Sequence, residues 1–259
     1  MADYKEIARE VRKDVLRLVH KGQTSHIASN YSLVDIAVVL YENLGLQDRV
    51  VWSKGWASAL FYILNARKGV IDKDDLFDKF PNPPYGALLD PTVPGVWVSG
   101  GSMANGLAVA VGMAYAKKLK GEPGIVYCLM SDGELQEGMT WEAILQAGHD
   151  KLDNLVAIID YNKWCAMGKT NEVLNLEPLA QKLEAFNWTS QEIEGHEHWQ
   201  IETALDATKE LNFKKPNVII AHTTKGKGVS FFENHLLYHY KHVEKDEFDK
   251  AMAELSRNI

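Results

Sequence analysis

The 259-residue chain has little cysteine, little proline and no surplus of positive charge. Its two cysteines, Cys128 and Cys165, cannot build a disulfide framework. They sit in or beside apolar runs without metal-ligand spacing and read as reduced, semi-buried thiols. Asp and Glu number 35 against 28 Lys and Arg, a net charge of −7. That balance excludes a sequence-independent nucleic-acid binder, which needs a basic surplus. It leaves phosphorylated ligands open, because backbone N–H groups bind phosphate inside an acidic protein. No run approaches the ~18 apolar residues of a membrane span. The opening segment MADYKEIAREVRKDVLRLVH is a charged amphipathic helix without a signal-type apolar core. The expected location is the cytoplasm, with no membrane and no nucleic-acid partner.

Disorder is excluded by a 46% hydrophobic and 10% aromatic content. At roughly 100–200 residues per domain the length allows one large domain or two small ones. No composition break or repeat divides the chain, so residues 1–259 are expected to form one domain. Apolar spacing predicts helices over 4–20, over 33–43 with Ser32 as N-cap, and from Trp56 to Gly69. Five of the eight prolines (81, 83, 84, 91, 94) mark an extended loop over 80–95. Small residues at 104, 106, 108, 110, 112 and 114 make a helix that can approach a neighbour closely. GIVYCLMSDG, NLVAIIDYN and NVIIAHT are continuous apolar runs ending in turns, the pattern of buried parallel strands. Helices are expected over 140–149, 177–187, 199–211 and 245–257. The alternation predicts an α/β fold: a doubly wound, mainly parallel sheet with helices on both faces.

In open α/β sheets, ligands bind outside the carboxyl ends of the strands. Just past the three strands come Ser131-Asp132-Gly133-Glu134, Tyr161-Asn162-Lys163-Trp164 and Thr224-Lys225-Gly226-Lys227-Gly228. Gly100-Gly101-Ser102 precedes the small-residue helix. These segments suit a diphosphate held through a divalent cation. Asp132 offers a hard anionic oxygen, Asn162 an amide oxygen, and a nearby backbone carbonyl a third, a set fitting Mg²⁺ or a looser Ca²⁺ site. Gly133 lets backbone approach phosphate. Taken alone, Asp132-Gly133 is also an ordinary turn pair, His26 a surface residue at a helix entry, and the Lys225 loop a solvated basic turn. Trp56 alone reads equally as helix packing or as a pocket wall. His196 and His198 read as solvated residues. His235 and His239 stand four apart but lack the glutamate of a zinc protease. Gly168-Lys169-Thr170 ends like a phosphate loop, but Lys163 stands where the first glycine belongs.

Taken together, Asp132-Gly133-Glu134, Glu137-Gly138, Trp141-Glu142-Ala143, His149, Leu152-Asp153-Asn154-Leu155, Asp160 and Asn162 resemble the thiamine-diphosphate motif of transketolases. Ser25-His26, Ser32 with Asp35, Asp48-Arg49, Ser53-Lys54-Gly55, the stretch from Gly95-Val96 to Gly112-Met113, and Thr224 to Val229 resemble further segments, in order along the chain. The resemblance implies the N-terminal, diphosphate-binding subunit of a split transketolase. Such an enzyme transfers a two-carbon ketol unit from a ketose or its phosphate to an aldose or its phosphate. It implies thiamine diphosphate and Mg²⁺ (or Ca²⁺) as cofactors. Asp132, Asn162 and the carbonyl of Trp164 would hold the metal. Lys54, Gly101, Ser102, Met103, Gly133, Glu134, Asn162, Lys225 and His239 would line the cofactor. His26, Ser29 and His239 would face the sugar and move protons. Glu137 would lie at a contact between copies of this domain. A separate C-terminal subunit would carry the pyrimidine-binding domain and the activating glutamate, giving a heterotetramer.

The sequence also departs from the family pattern. Trp56 stands where the family has a histidine, Ser131 replaces the glycine before Asp132, and Tyr85 to Pro91 contains no histidine where the family has one. These changes imply a modified substrate pocket beside an intact cofactor site. Two other readings follow. His26-Ile27-Ala28-Ser29-Asn30 also resembles a segment of deoxyxylulose-phosphate synthases, which would mean a pyruvate condensation. Loss of substrate histidines would alternatively fit a non-catalytic cofactor-binding subunit.

Overall fold

The computed structural model describes residues 3–210 and 214–257. Helix α1 (Tyr4–Gly22) is capped by Asp3, whose side chain accepts from the Glu6 N–H, and ends on Gln23 in the left-handed region. Helix α2 (Ile27–Glu42) is buried on all sides from Ile27 to Tyr41. Then come β1 (Arg49–Trp52), α3 (Ser58–Arg67), α4 (Lys73–Lys79), and α5 (Asn105–Lys120) after a long irregular stretch. The chain continues through β2 (Val126–Ser131), α6 (Gly138–His149), β3 (Leu155–Tyr161), and the hairpin β4 (Trp164–Cys165) and β5 (Gly168–Lys169). It ends with α7 (Thr170–Val173), α8 (Leu179–Ala185), β6 (Thr189–Glu194), α9 (His198–Glu210), β7 (Asn217–His222) and α10 (Lys245–Ser256).

The main sheet has the order β1-β2-β3-β7-β6, and every neighbouring pair is parallel. Alternate strand residues point to opposite faces. Tyr127, Leu129, Val156, Ile158, Ile219 and Ala221 join the core under α1, α2, α3, α9 and α10. Cys128, Met130, Ala157, Ile159, Val218 and Ile220 join the core under α5, α6 and α8. Burial on both faces is why these strands read as unbroken apolar runs. Each fully buried Val, Leu or Ile contributes roughly 1.5–3 kcal/mol. The fold is thus the expected α/β class, with helices on both faces.

Several boundaries differ from the sequence reading. The second helix begins six residues earlier than expected, at Ile27, and His26 occupies its N-cap position at φ 69°. Ser32 is therefore a buried mid-helix residue and caps nothing. Strands β1 and β6 have no counterpart in that reading. The helix expected over 199–211 runs to Glu210, and residue 211 lies outside the described residues. Gly106 in α5 shows why small residues are needed there: a Cβ would sit 2.4 Å from that of Ser53. That close approach fixes α5 against the turn after β1. Among the described residues no helix is long and apolar enough to cross a membrane.

Candidate cofactor pocket

The carboxyl ends of the strands open into a cavity of about 490 Å³. β1 delivers Ser53 and Lys54, β2 delivers Gly133 and Glu134, β3 delivers Asn162 and Trp164, and β7 delivers Lys225. His26 and Ser29 enter from the start of α2, Gly101, Ser102 and Met103 from the loop before α5, and His239 from a short 3-10 turn over 236–239. Glu137, at the N-cap of α6, lines the same cavity. Distant segments of the sequence thus meet at one sheet edge, as His26 does with His239, their rings 4.5 Å apart.

Asp132 is the one predicted site residue that does not line the cavity. It lies fully buried, with its carboxylate held by two backbone donors. Oδ1 accepts from the Gly133 N–H at 2.8 Å and Oδ2 from the Lys163 N–H at 2.5 Å. The next amide along, Trp164 N–H, donates to Asn162 Oδ1 at 3.0 Å. The Asp132 and Asn162 oxygens are thus pinned to consecutive amides of one tight turn. Burial, reinforced by nearby Asp160, pushes the Asp132 carboxyl up to about 7. A buried carboxylate held only by amides, beside a fixed amide oxygen, is a donor set that a hard divalent cation fits. No group of three His, Cys, Asp or Glu among the described residues could hold a metal. A site here must therefore use the amide and backbone oxygens alongside Asp132.

The two lysines differ in what they can offer. Lys54 Nζ is consumed by Asp160, in a contact that Ser32 and Thr223 also join. Burial raises the Asp160 carboxyl, but Lys54 and the two hydroxyls outweigh that and hold it below the ordinary value. Lys225 faces a neutral partner instead, donating to His239 Nδ1 at 2.8 Å. Burial, aided by Lys54, lowers Lys225 to about 8. Lys225 is 1% exposed, so the solvated basic turn is excluded for this residue. It brings the pocket's least compensated positive charge.

The His26 ring stacks flat on Trp56, with centroids 4.1 Å apart and planes 8° from parallel. Its Nδ1 lies 2.6 Å from Ser25 Oγ. Burial, with Lys225 and Lys54 nearby, lowers His26 to about 4. Burial, Lys225 and His26 lower His239 to about 3. Both imidazoles are neutral at pH 7; with Nδ1 taken by Lys225, His239 presents its Nε2–H as a donor. The expected result in a histidine NMR titration is that neither ring shows the full shift of imidazole protonation between pH 8 and pH 5.5, any smaller movement following Lys225 and Asp132. An exposed histidine would titrate near 6.5 in the same window, and a full protonation shift there for either ring would contradict this geometry.

Some features of the pocket are not legible in the sequence. Glu134 is a motif residue there, but here it also acts as a knot: it joins the turn after β1 through Ser53 and accepts from the Ser131 N–H at 2.6 Å. Gln136 Nε2 donates to the Leu174 carbonyl at 2.9 Å, drawing α7 over the mouth. Met167, Val173 and Leu174 form an exposed apolar rim that no motif announces. His196 and His198 are half-buried rather than solvated, because both bond the buried Asp35 carboxylate at 2.7 and 3.0 Å.

A buried, weakly compensated lysine at the carboxyl edge of a parallel sheet suits a phosphate or diphosphate group, and that edge is where such α/β domains bind their ligands. The chain belongs to the transketolase family: residues 4–258 match the model described as the transketolase, thiamine diphosphate binding domain. It is 35% identical to an apulose-4-phosphate transketolase subunit of Phocaeicola vulgatus, over 96% of this chain and 92% of that one. It is 35% identical to the 6-deoxy-6-sulfo-D-fructose transketolase subunit SqwG of Clostridium sp., over 98% and 97%. The transketolase of Campylobacter jejuni superposes with a TM-score of 0.90 at 28% identity, over 100% of this chain and 43% of that one. The chain therefore spans about two fifths of the solved transketolases it matches.

Proposed function

We propose that residues 1–259 form the cofactor-binding domain and N-terminal subunit of a two-chain transketolase, which transfers a two-carbon ketol unit from a ketose to an aldose. The observation that carries this reading is the pairing of Asp132 and Asn162 on consecutive amides, beside Lys225, at the carboxyl edge of the sheet. In this reading Asp132, Asn162 and the Trp164 carbonyl hold Mg²⁺ (Ca²⁺ also suits the set). Lys54, Gly101, Ser102, Met103, Gly133, Glu134, Lys225 and His239 surround the diphosphate and its ring. Thiamine diphosphate, when bound, supplies the nucleophilic carbon that carries the transferred unit. His26, neutral at pH 7, accepts and returns protons at the sugar hydroxyls with Ser29 beside it, while His239, its Nδ1 engaged by Lys225, takes part through its Nε2–H.

The activating glutamate and the pyrimidine-binding half belong to a partner chain in this reading. Relatives of matching length that are themselves named as subunits support it. So does the apolar rim of Met167, Val173 and Leu174, a surface for another chain to cover. Glu137 is assigned to the contact between two copies of this domain, and the complete assembly is then a heterotetramer.

Trp56 walls the substrate side. Stacked on His26, it puts an indole face where a polar group would otherwise meet the sugar. That supports a substrate other than the ordinary pentose phosphates, as the names of the two relatives do for those proteins. The test is a donor screen with this chain and its C-terminal partner, comparing ketoses, ketose phosphates and pyruvate. Two-carbon transfer from a ketose donor is the expected outcome. Condensation from pyruvate alone would instead establish the synthase-like reaction.

A further inference from the structure

Lys225 reaches the pocket from a loop with no regular structure, so something must fix that loop. Gly226 sits at φ +80° and its N–H donates to the Ala28 carbonyl at 3.0 Å. Behind it lies a cluster outside the pocket. Asp35 is buried, and Arg12 donates to both its oxygens, at 3.2 and 2.6 Å. His196 Nδ1 stands 2.7 Å from Asp35 Oδ2, and His198 Nε2 3.0 Å from Oδ1. The cluster then grips the loop at two points. Arg12 Nε donates to the Lys227 carbonyl at 2.9 Å, and the Thr224 N–H donates to His196 Nε2 at 2.8 Å.

The second grip fixes a tautomer. A backbone N–H can only donate, so His196 Nε2 must be the bare, accepting nitrogen. The proton is therefore on Nδ1, where it donates to Asp35. Burial raises the Asp35 carboxyl, but Arg12, His196 and His198 outweigh this and keep it well below the ordinary value. The acceptor that His196 needs is thus permanently charged.

We propose that His196, oriented by Asp35, is a positioning residue that sets the reach of Lys225 into the pocket. It touches neither cofactor nor substrate, and acts by holding Thr224, the residue before Lys225. The consequence for cofactor affinity rests on the proposed function; the clamp itself does not.

Three measurements test it. In the unmodified chain, two-bond ¹H–¹⁵N correlations should show His196 protonated on Nδ1; a proton on Nε2 would overturn the clamp. The His196→Asn and His196→Gln variants then separate positioning from bulk packing. Glutamine retains an acceptor near the Nε2 position, whereas asparagine retains only the Nδ1-like donor to Asp35. Affinity for Mg²⁺–thiamine diphosphate, measured with the partner present, should fall about tenfold in His196→Asn and by no more than about twofold in His196→Gln. Equal affinities in both variants would overturn the proposal. Finally, the Lys225 ¹⁵Nζ resonance, assigned by its loss in Lys225→Arg, should move in His196→Asn and stay in place in His196→Gln. Lys225 faces His239, Lys54, Asp132, Asp160 and Cys165, none of which these variants alter. A shifted Lys225 signal in a protein that binds no thiamine diphosphate would uphold the clamp and remove the functional reading. Intact binding with an unmoved signal would do the reverse.

Discussion

Replacing Asp132 with asparagine is expected to lower Mg²⁺-dependent binding of thiamine diphosphate by more than about 100-fold, since even outer partners of metal ligands cost 10–100-fold. The fold should survive. Among the described residues Asp132 has no ion-pair partner of its own; it is held by the Gly133 and Lys163 N–H groups. Asparagine keeps an acceptor for one of them and turns its amide NH2 toward the other, a cost of about 1–3 kcal/mol that is offset by removing a carboxylate which burial and Asp160 already make costly to ionise. Stability without ligand should therefore stay within about 1 kcal/mol, by urea unfolding. The two results together separate a ligand from a structural residue. Unchanged cofactor affinity would end the metal assignment, and a collapse in stability would make Asp132 a packing residue.

Asp160→Asn should behave in the opposite way. Asp160 is fully buried and is the only acidic partner of the buried Lys54 among the described residues. Breaking a buried pair by removing one partner strands the other charge and costs about 3–5 kcal/mol. Lys54→Met strands the carboxylate instead and should also destabilise strongly. The double variant removes both charges, so it should be more stable than Asp160→Asn alone. A double-mutant cycle in urea gives the coupling. If Asp160→Asn and the double variant lose stability equally, the pair is not what holds Lys54 at the pocket.

The parts of this architecture legible in the sequence share one property: their evidence is local. β2, β3 and β7 are buried on both faces and read as unbroken apolar runs. The residues that follow them carry the pocket, so the convergence of Asn162, Gly133 and Lys225 on one edge could be expected. β1 is hidden because Arg49–Trp52 is only four residues long. β6 is hidden because Thr189–Glu194 is a polar edge strand, paired on one side only and partly exposed. Helix α2 conceals its start because it is buried all round and its polar residues, Ser29, Asn30 and Ser32, look like a loop. Ser32 in fact faces inward to Asp160.

The other features that sequence does not reveal are long-range. Asp35 and His196 are separated by 161 positions, and no local pattern shows that a histidine beside Gly195 will turn inward onto a buried carboxylate. The same holds for Lys54 and Asp160, which β1 and β3 bring together only because β2 lies between them. Trp56 reads from sequence as either helix packing or pocket wall. Its ring lies on His26 at the cavity, and that contact decides for the wall.

In the proposed function this pocket takes thiamine diphosphate through a divalent metal, between this chain and a partner. Calorimetric titration of thiamine diphosphate into the chain mixed with its C-terminal partner, with Mg²⁺ and then with a chelator, tests it most directly. The predicted result is tight binding that requires both Mg²⁺ and the partner. Absence of binding in the complete mixture, or binding of equal strength in the chelator, would contradict it.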